Sequence, residues 1–156
     1  LIDVHSRFIV DWEISTTMDS GFILTMLKRA FARGKPEIIN SDQGCQYTSD
    51  KYIELLKAAG VAISMDGRGR ATDNAYIERF WRTLKQQEVY LNEYSSPKEA
   101  RRRIAAFINR YNYFRPHQSL DGKTPGQIYQ GVLPLRMEDI TLKHSGIHLT
   151  NQKMVS

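Results

Sequence analysis

Residues 37–65 read EIINSDQGCQYTSDKYIELLKAAGVAISM, and the order of patterns in this stretch decides the fold class. Glu37 to Ser41 carries the apolar pair Ile38-Ile39 and predicts a short strand. Ser49 or Asp50 to Ala59 places Tyr52, Ile53 and Leu56 on one side at helical spacing, and Gly60 ends that helix. Val61 to Met65 predicts one more strand. A strand, a helix and a second strand in succession is the crossover unit of an α/β protein with parallel pairing. Asp42 stands in the loop at the end of the first strand, where Gly44 permits a tight turn. Gln46 and Tyr47 are placed to reach a nucleic-acid strand, with Tyr47 equally suited to packing under the loop.

Working outward, residues 7–15 alternate, with Phe8, Val10, Trp12 and Ile14 on one side and Arg7, Asp11 and Glu13 on the other. Ile9 is the exception, and the pattern predicts a half-buried strand. A helix is expected from Asp19 or Ser20 to Arg33, burying Ile23, Met26, Leu27, Ala30 and Phe31, before Gly34-Lys35-Pro36 ends it. Asp66 to Arg70 is a glycine-rich loop in which Arg68 and Arg70 either present charge to phosphates or belong to a linker without a partner. A helix then starts near Thr72 or Asp73, with Ile77, Phe80, Trp81 and Leu84 inward. Glu78, Arg82 and Lys85 share its other face, and Glu78 with Arg82 also has the spacing of an ordinary surface ion pair.

Ser96-Pro97-Lys98-Glu99 is a helix start, with Ser as cap and Pro at the first position. The helix it opens turns Ile104, Phe107, Ile108 and Tyr111 inward. Arg115-Pro116-His117 breaks it, and Thr124-Pro125 opens a short helix through Tyr129. Residues 1–130 form the expected core and residues 131–156 an extended tail, in which His144 and His148 are read as surface residues.

Net charge is +5 with a pI near 9.4. Arg101, Arg102, Arg103, Arg110 and Arg115 fall in a segment, 101–120, that has no acid and so accounts for the whole excess. Interleaved with Tyr111, Tyr113, Phe114 and His117, this stripe suits a phosphate backbone, although a solvated helix face gives the same pattern. The single cysteine, Cys45, excludes an internal disulfide and a cysteine-based zinc site. No membrane-spanning run or leader pattern is present, so the cytoplasm is the expected compartment.

Asp42 and Glu78 are separated by 35 residues. One carboxylate at a strand end and another on a helix can meet across a cleft, and such hard oxygen donors suit Mg²⁺ or Mn²⁺. Three motifs, SDQG-x-QYTS (41–49), DNA-x-x-ER-x-W-x-x-LK (73–85) and YNYFRPHQSLDGKTP (111–125), together resemble the integrase core of bacterial insertion-sequence transposases, within the wider group of DDE transposases and retroviral integrases. The resemblance covers nearly all of residues 1–130. It implies an RNase H-like fold, a mixed five-stranded sheet flanked by helices, in which three acids hold two Mg²⁺ ions that cleave DNA and join the freed 3′-hydroxyl to a target strand.

It further implies that Asp42 and Glu78 are the second and third of those acids and the metal ligands. DNA, as element ends and target, is the implied partner. Arg68, Arg70, Arg82, Lys85, Arg101, Arg102, Arg110 and Arg115 are the candidate DNA contacts. By the same comparison the chain begins inside the second strand, so the first strand and its Asp are expected to be missing. Asp3, in IDVHSRF, matches a position after the catalytic one. The helices that recognise element ends are likewise not found in this sequence. The expectation is therefore a transposase core, inactive by itself, acting as a homo-oligomer or with a full-length relative. A non-catalytic DNA-binding or dimerising module is the second reading, and a fragment without a stable fold the third.

Overall fold

The computed structural model describes residues 1–16, 21–65 and 74–131. Its elements are helix α1 (Gly21–Phe31), strand β1 (Ile38–Ser41), helix α2 (Asp50–Ala59), strand β2 (Ala62–Met65), helix α3 (Ala75–Leu84), helix α4 (Pro97–Tyr113) and helix α5 (Pro125–Gln130). A π-helical turn, Lys85–Val89, prolongs α3, and a 3₁₀ turn, Gln118–Leu120, precedes α5. The expected starts at Asp19 or Ser20 and at Thr72 or Asp73, the arginine loop 66–70, and all but the first residue of the tail lie outside the described residues.

β1 and β2 pair in parallel, Ile38 against Ala62 through Ser41 against Met65, with α2 as the crossover. Gly60 closes α2 at φ 71°, a left-handed conformation that glycine adopts without steric cost. Ile23, Leu27, Ile39, Tyr52, Leu56 and Val61 make the core between this unit and α1. A second core joins Ile9 to Phe80 and Leu84 of α3 and to Ile104, Phe107, Ile108 and Tyr111 of α4. The inward stripe expected for α4 is therefore present in full. Its start is also as expected: Ser96 Oγ accepts from Glu99 N at 3.2 Å. Among the described residues no helix is long and apolar enough to cross a membrane.

The strand expected at 7–15 is corrected. Among the described residues this stretch contributes one isolated antiparallel bridge, Ile2 to Ile9. Arg7 sits at φ 64°, and the Asp3 carboxylate accepts from both Ser6 N (2.7 Å) and Ser6 Oγ (2.5 Å), so the chain turns sharply and the two-residue period is lost. Ile9 and Asp11 are buried while Ile14 is exposed, contrary to the alternation. Asp11 and Glu13 then act as a clamp between helices. Arg29 of α1 reaches Asp11 at 2.7 Å and Glu13 at 2.9 Å, Arg33 also pairs with Asp11, and Arg101 of α4 pairs with Glu13.

Hydrogen bonding to Arg101, followed by Arg29, lowers the Glu13 carboxyl from its usual 4.5 to about 2 against the opposing effect of burial. A depressed carboxylate contributes stability that is complete above pH 4.5 and is lost as the pH falls through about 2. Thermal unfolding followed between those limits is expected to show this loss in the natural sequence and a flatter profile in Glu13→Gln.

Thr124 and Gln127 exchange hydrogen bonds in a capping box that starts α5 (2.8 and 3.2 Å), and Tyr129 stacks on Phe8 with ring centroids 4.5 Å apart. Gly126 is packed so closely that an added Cβ would lie 2.7 Å from Tyr113 Cδ1 and 3.0 Å from the Asn112 carbonyl oxygen. Gly126→Ala is expected to cost about 1–3 kcal/mol by overpacking, measured by denaturant unfolding.

Candidate active site

Asp42 follows the last residue of β1 and is exposed. Its Oδ1 accepts from Gly44 N at 2.9 Å, a short side-chain turn that orients the carboxylate. An added Cβ on Gly44 would lie 2.9 Å from that same Oδ1. Glycine here serves close approach, since its φ is not in the left-handed region. Tyr47 packs edge-on to Tyr52 at 5.5 Å, which selects the under-loop alternative for that side chain. Both phenols are raised above their usual pKa, by burial first and also by the charge of Asp42.

Asn74 stands at the position just before α3 without a side-chain cap bond, and Glu78 N donates to the Asn74 carbonyl at 3.0 Å. Across the cleft, Asn40 Nδ2 donates to Asn74 Oδ1 at 3.4 Å. This contact ties the residue two before Asp42 to the residue one turn before Glu78. The strand end and the first turn of the helix are thus held side by side.

Glu78, Arg82 and Lys85 line a common open hollow of about 420 Å³ with Trp81, Gln86 and Tyr90. The shared face expected for the first three is present. Glu78 forms no salt bridge with Arg82 or with any other described residue, so the surface ion-pair reading is not realised. Trp81 is corrected from inward to outward, at 46% exposure, and Tyr90 is 72% exposed. Ile77, Phe80 and Leu84 complete the inward stripe at i, i+3 and i+7, which leaves position 81 on the flank. That count was the available signal for a solvent-facing aromatic beside Glu78.

The basic residues divide into two kinds. Arg101 pairs with Glu13 and donates to Ile14 O at 3.0 Å, and Arg103 Nε pairs with buried Glu88 at 2.9 Å. Arg102 extends outward with Glu99 at 3.9 Å, Arg110 lies 5.6 Å over the Phe107 ring, and Arg115 donates to Gln87 Oε1 at 2.6 Å. The uninterrupted cationic stripe read from the sequence is therefore partly neutralised. Arg68 and Arg70 lie outside the described residues.

Two family models, each described as an integrase core domain, match residues 1–71 and 59–125 and so follow one another along the chain. The chain belongs to the integrase core domain family. The transposase for insertion sequence element IS904 of Lactococcus lactis subsp. lactis (strain IL1403) is 36% identical over 128 residues, 80% of this chain and 51% of that protein. The transposase InsF for insertion sequence IS3A of Escherichia coli (strain K12) is 30% identical over 131 residues, 81% of this chain and 46% of that protein. The chain spans about half the length of these curated relatives.

The catalytic core domain of BIV integrase superposes on this integrase core with a TM-score of 0.66 at 18% identity, covering 92% of this chain and 86% of that one. The HTLV-2 integrase catalytic core domain, in complex with magnesium in a dimeric form, gives 0.63 at 20% identity, covering 81% of this chain and 79% of that one. The fold is therefore that of a retroviral integrase core, RNase H-like as expected, represented among the described residues by the parallel pair, the antiparallel bridge and the flanking helices.

A hard divalent ion fits the donors present, because Asp42 has one oxygen on Gly44 N and one remaining, and Glu78 is unpaired among the described residues. Among the described residues no group of three or more His, Cys, Asp or Glu could hold a metal ion. Asp42 and Glu78, the two acids expected as ligands, are both among the described residues.

Proposed function

We propose that this chain is the catalytic core of an insertion-sequence transposase, in which Asp42 and Glu78 hold a divalent cation and α3 guides a DNA strand past it. The observation that supports this most is the Asn40–Asn74 contact beside a hollow containing Glu78, Arg82 and Lys85. Mg²⁺ or Mn²⁺ bound there supplies Lewis-acid stabilisation of a phosphodiester undergoing in-line displacement. The chain's own contribution is positioning. Arg82 and Lys85 attract the backbone, and Trp81 and Tyr90 offer faces on which unstacked bases rest, a contribution of about 1–3 kcal/mol per base in comparable sites. Arg102 and Arg110, outward on α4, extend the cationic surface. The chemistry runs in two steps: water attacks a phosphodiester and leaves a 3′-hydroxyl and a 5′-phosphate, and that 3′-hydroxyl then attacks a target phosphodiester, forming one new phosphodiester as the target's 3′-oxygen leaves and takes up a proton.

Two carboxylates do not complete a two-metal site, and the 156 residues alone are expected to show no strand transfer on oligonucleotides. Product formation by these residues alone would contradict that expectation. The second reading, a DNA-binding or dimerising module that modulates a full-length transposase, differs in one measurable way. DNA affinity of a catalytic core is expected to rise when Mn²⁺ is added, because a cation held by Asp42 and Glu78 would add positive charge beside the DNA path, and Glu78→Gln is expected to remove the rise. An affinity indifferent to Mn²⁺ would favour the module.

A further inference from the structure

A second hollow, about 580 Å³, lies against another face of α3 and shares no lining residue with the one around Glu78. Arg7, Arg79 and Arg115 line it, and among the described residues no Asp or Glu does. None of these three arginines forms a salt bridge among the described residues, whereas Arg29, Arg33, Arg101 and Arg103 all do. Where arginine holds this fold together it is matched by a carboxylate, and here three guanidinium groups surround one space unmatched. Their mutual repulsion is relieved by an anion in that space.

The groups are also held in place. Arg7 lies 3.6 Å over the Tyr76 ring, on a backbone kept left-handed by the Asp3 turn, and Arg115 is oriented by Gln87. His117 stands edge-on to Tyr111 at 4.8 Å, and its Nε2 is buried with no hydrogen-bond partner among the described residues. An orphaned polar atom next to unmatched cations indicates a missing polar ligand. Burial, then Arg115 and Arg7, push the His117 imidazole below its usual pKa, which keeps it neutral and able to donate one N–H without adding charge.

We propose that this cavity binds a phosphate group of a DNA strand and anchors that strand on the face of α3 adjoining the one that carries Glu78. Fork-shaped guanidinium donors match phosphate oxygens, and the anchor fixes register without reading sequence. The proposal rests on the DNA-binding reading above but not on metal binding. Tyr76, Arg79 and Thr83 face this cavity while Glu78, Arg82 and Lys85 face the other, so one helix would hold the strand and present the carboxylate.

The test is a salt series of DNA binding by anisotropy with a short labelled oligonucleotide, on the natural chain and on Arg79→Gln combined with Arg115→Gln. Each lost phosphate contact reduces the slope of log affinity against log salt by about 0.7–0.9. The double variant is expected to lose at least one such unit and to bind at least tenfold more weakly, with its far-ultraviolet circular dichroism unchanged. In parallel, imidazole nitrogen resonances of the natural chain are followed by NMR, His117 being assigned through His117→Gln. The oligonucleotide is expected to shift His117 at concentrations where inorganic phosphate does not.

An unchanged slope together with an unmoved His117 overturns the proposal, and if Mn²⁺ still strengthens DNA binding the transposase reading survives it. A shift produced by inorganic phosphate that DNA fails to displace also overturns it, because the cavity then serves a free anion. A shifted His117 without any Mn²⁺ effect upholds the cavity and removes the catalytic reading instead.

Discussion

Asp42→Asn and Glu78→Gln are each expected to weaken Mn²⁺ binding by at least tenfold, and the double variant to be little worse than either. Loss of an outer-shell group around a protein-bound metal already costs about 10–100-fold, so removal of a direct carboxylate costs no less, and tenfold is 1.4 kcal/mol. The second part of the prediction is the more discriminating. Two ligands on one ion are strongly coupled, because a lone surface carboxylate holds a divalent ion barely better than water does. Two ligands on separate ions would instead give additive losses. Calorimetric titration of the four proteins closes this cycle. Additive losses would mean that Asp42 and Glu78 do not share a cation, even if each binds one.

The second large effect concerns stability. Asn112 of α4 is buried, its Oδ1 accepts from Ile9 N at 2.9 Å, and its Nδ2 donates to Ile9 O at 3.0 Å. One side chain thus satisfies both backbone groups of a residue that lies in the core shared by α3 and α4. Asn112→Ala leaves a buried N–H and a buried C=O without partners. Each orphan costs about 1–3 kcal/mol, so a loss of about 2–6 kcal/mol is expected, with a fall in Tm of roughly 5–20 °C. Asn112→Asp is expected to do no better, since it retains the acceptor but loses the donor and buries a charge. A Tm change below about 2 °C would show that water replaces both bonds.

Patterns that depend on near neighbours in the chain were legible in the sequence. The apolar spacing of Tyr52 and Leu56, the stop at Gly60, the Ser96-Pro97 start and the inward face Ile104, Phe107, Ile108 and Tyr111 all report on one helix at a time. What was not legible depends on partners far along the chain. Asp11 and Glu13 look like the polar side of a strand until Arg29, Arg33 and Arg101 are brought to them. Asn112 sits 103 residues from Ile9, and nothing in its surroundings in the sequence marks it as the cap of that residue. Arg7, Arg79 and Arg115 are likewise scattered over the chain, and only the turn at Arg7 and the end of α4 collect them. Trp81 was misplaced because indole is usually buried, although the stripe was already complete without it.

For the site, the family resemblance proposes Asp42 and Glu78 as the acids, and helical spacing predicts the shared face of Glu78, Arg82 and Lys85 that the structure shows. Neither revealed that the Asn40–Asn74 contact joins the two elements, or that Trp81 and Tyr90 flank the carboxylate.

Paramagnetic broadening by Mn²⁺ tests the convergence of the two acids most directly, because it reads distance from the ion to every backbone amide and tolerates weak binding. Convergence predicts that amides around Asp42 and amides around Glu78 lose intensity together at the same low Mn²⁺ concentration, while those of Ile104 to Tyr111 persist. Broadening around one carboxylate with the other untouched would contradict it.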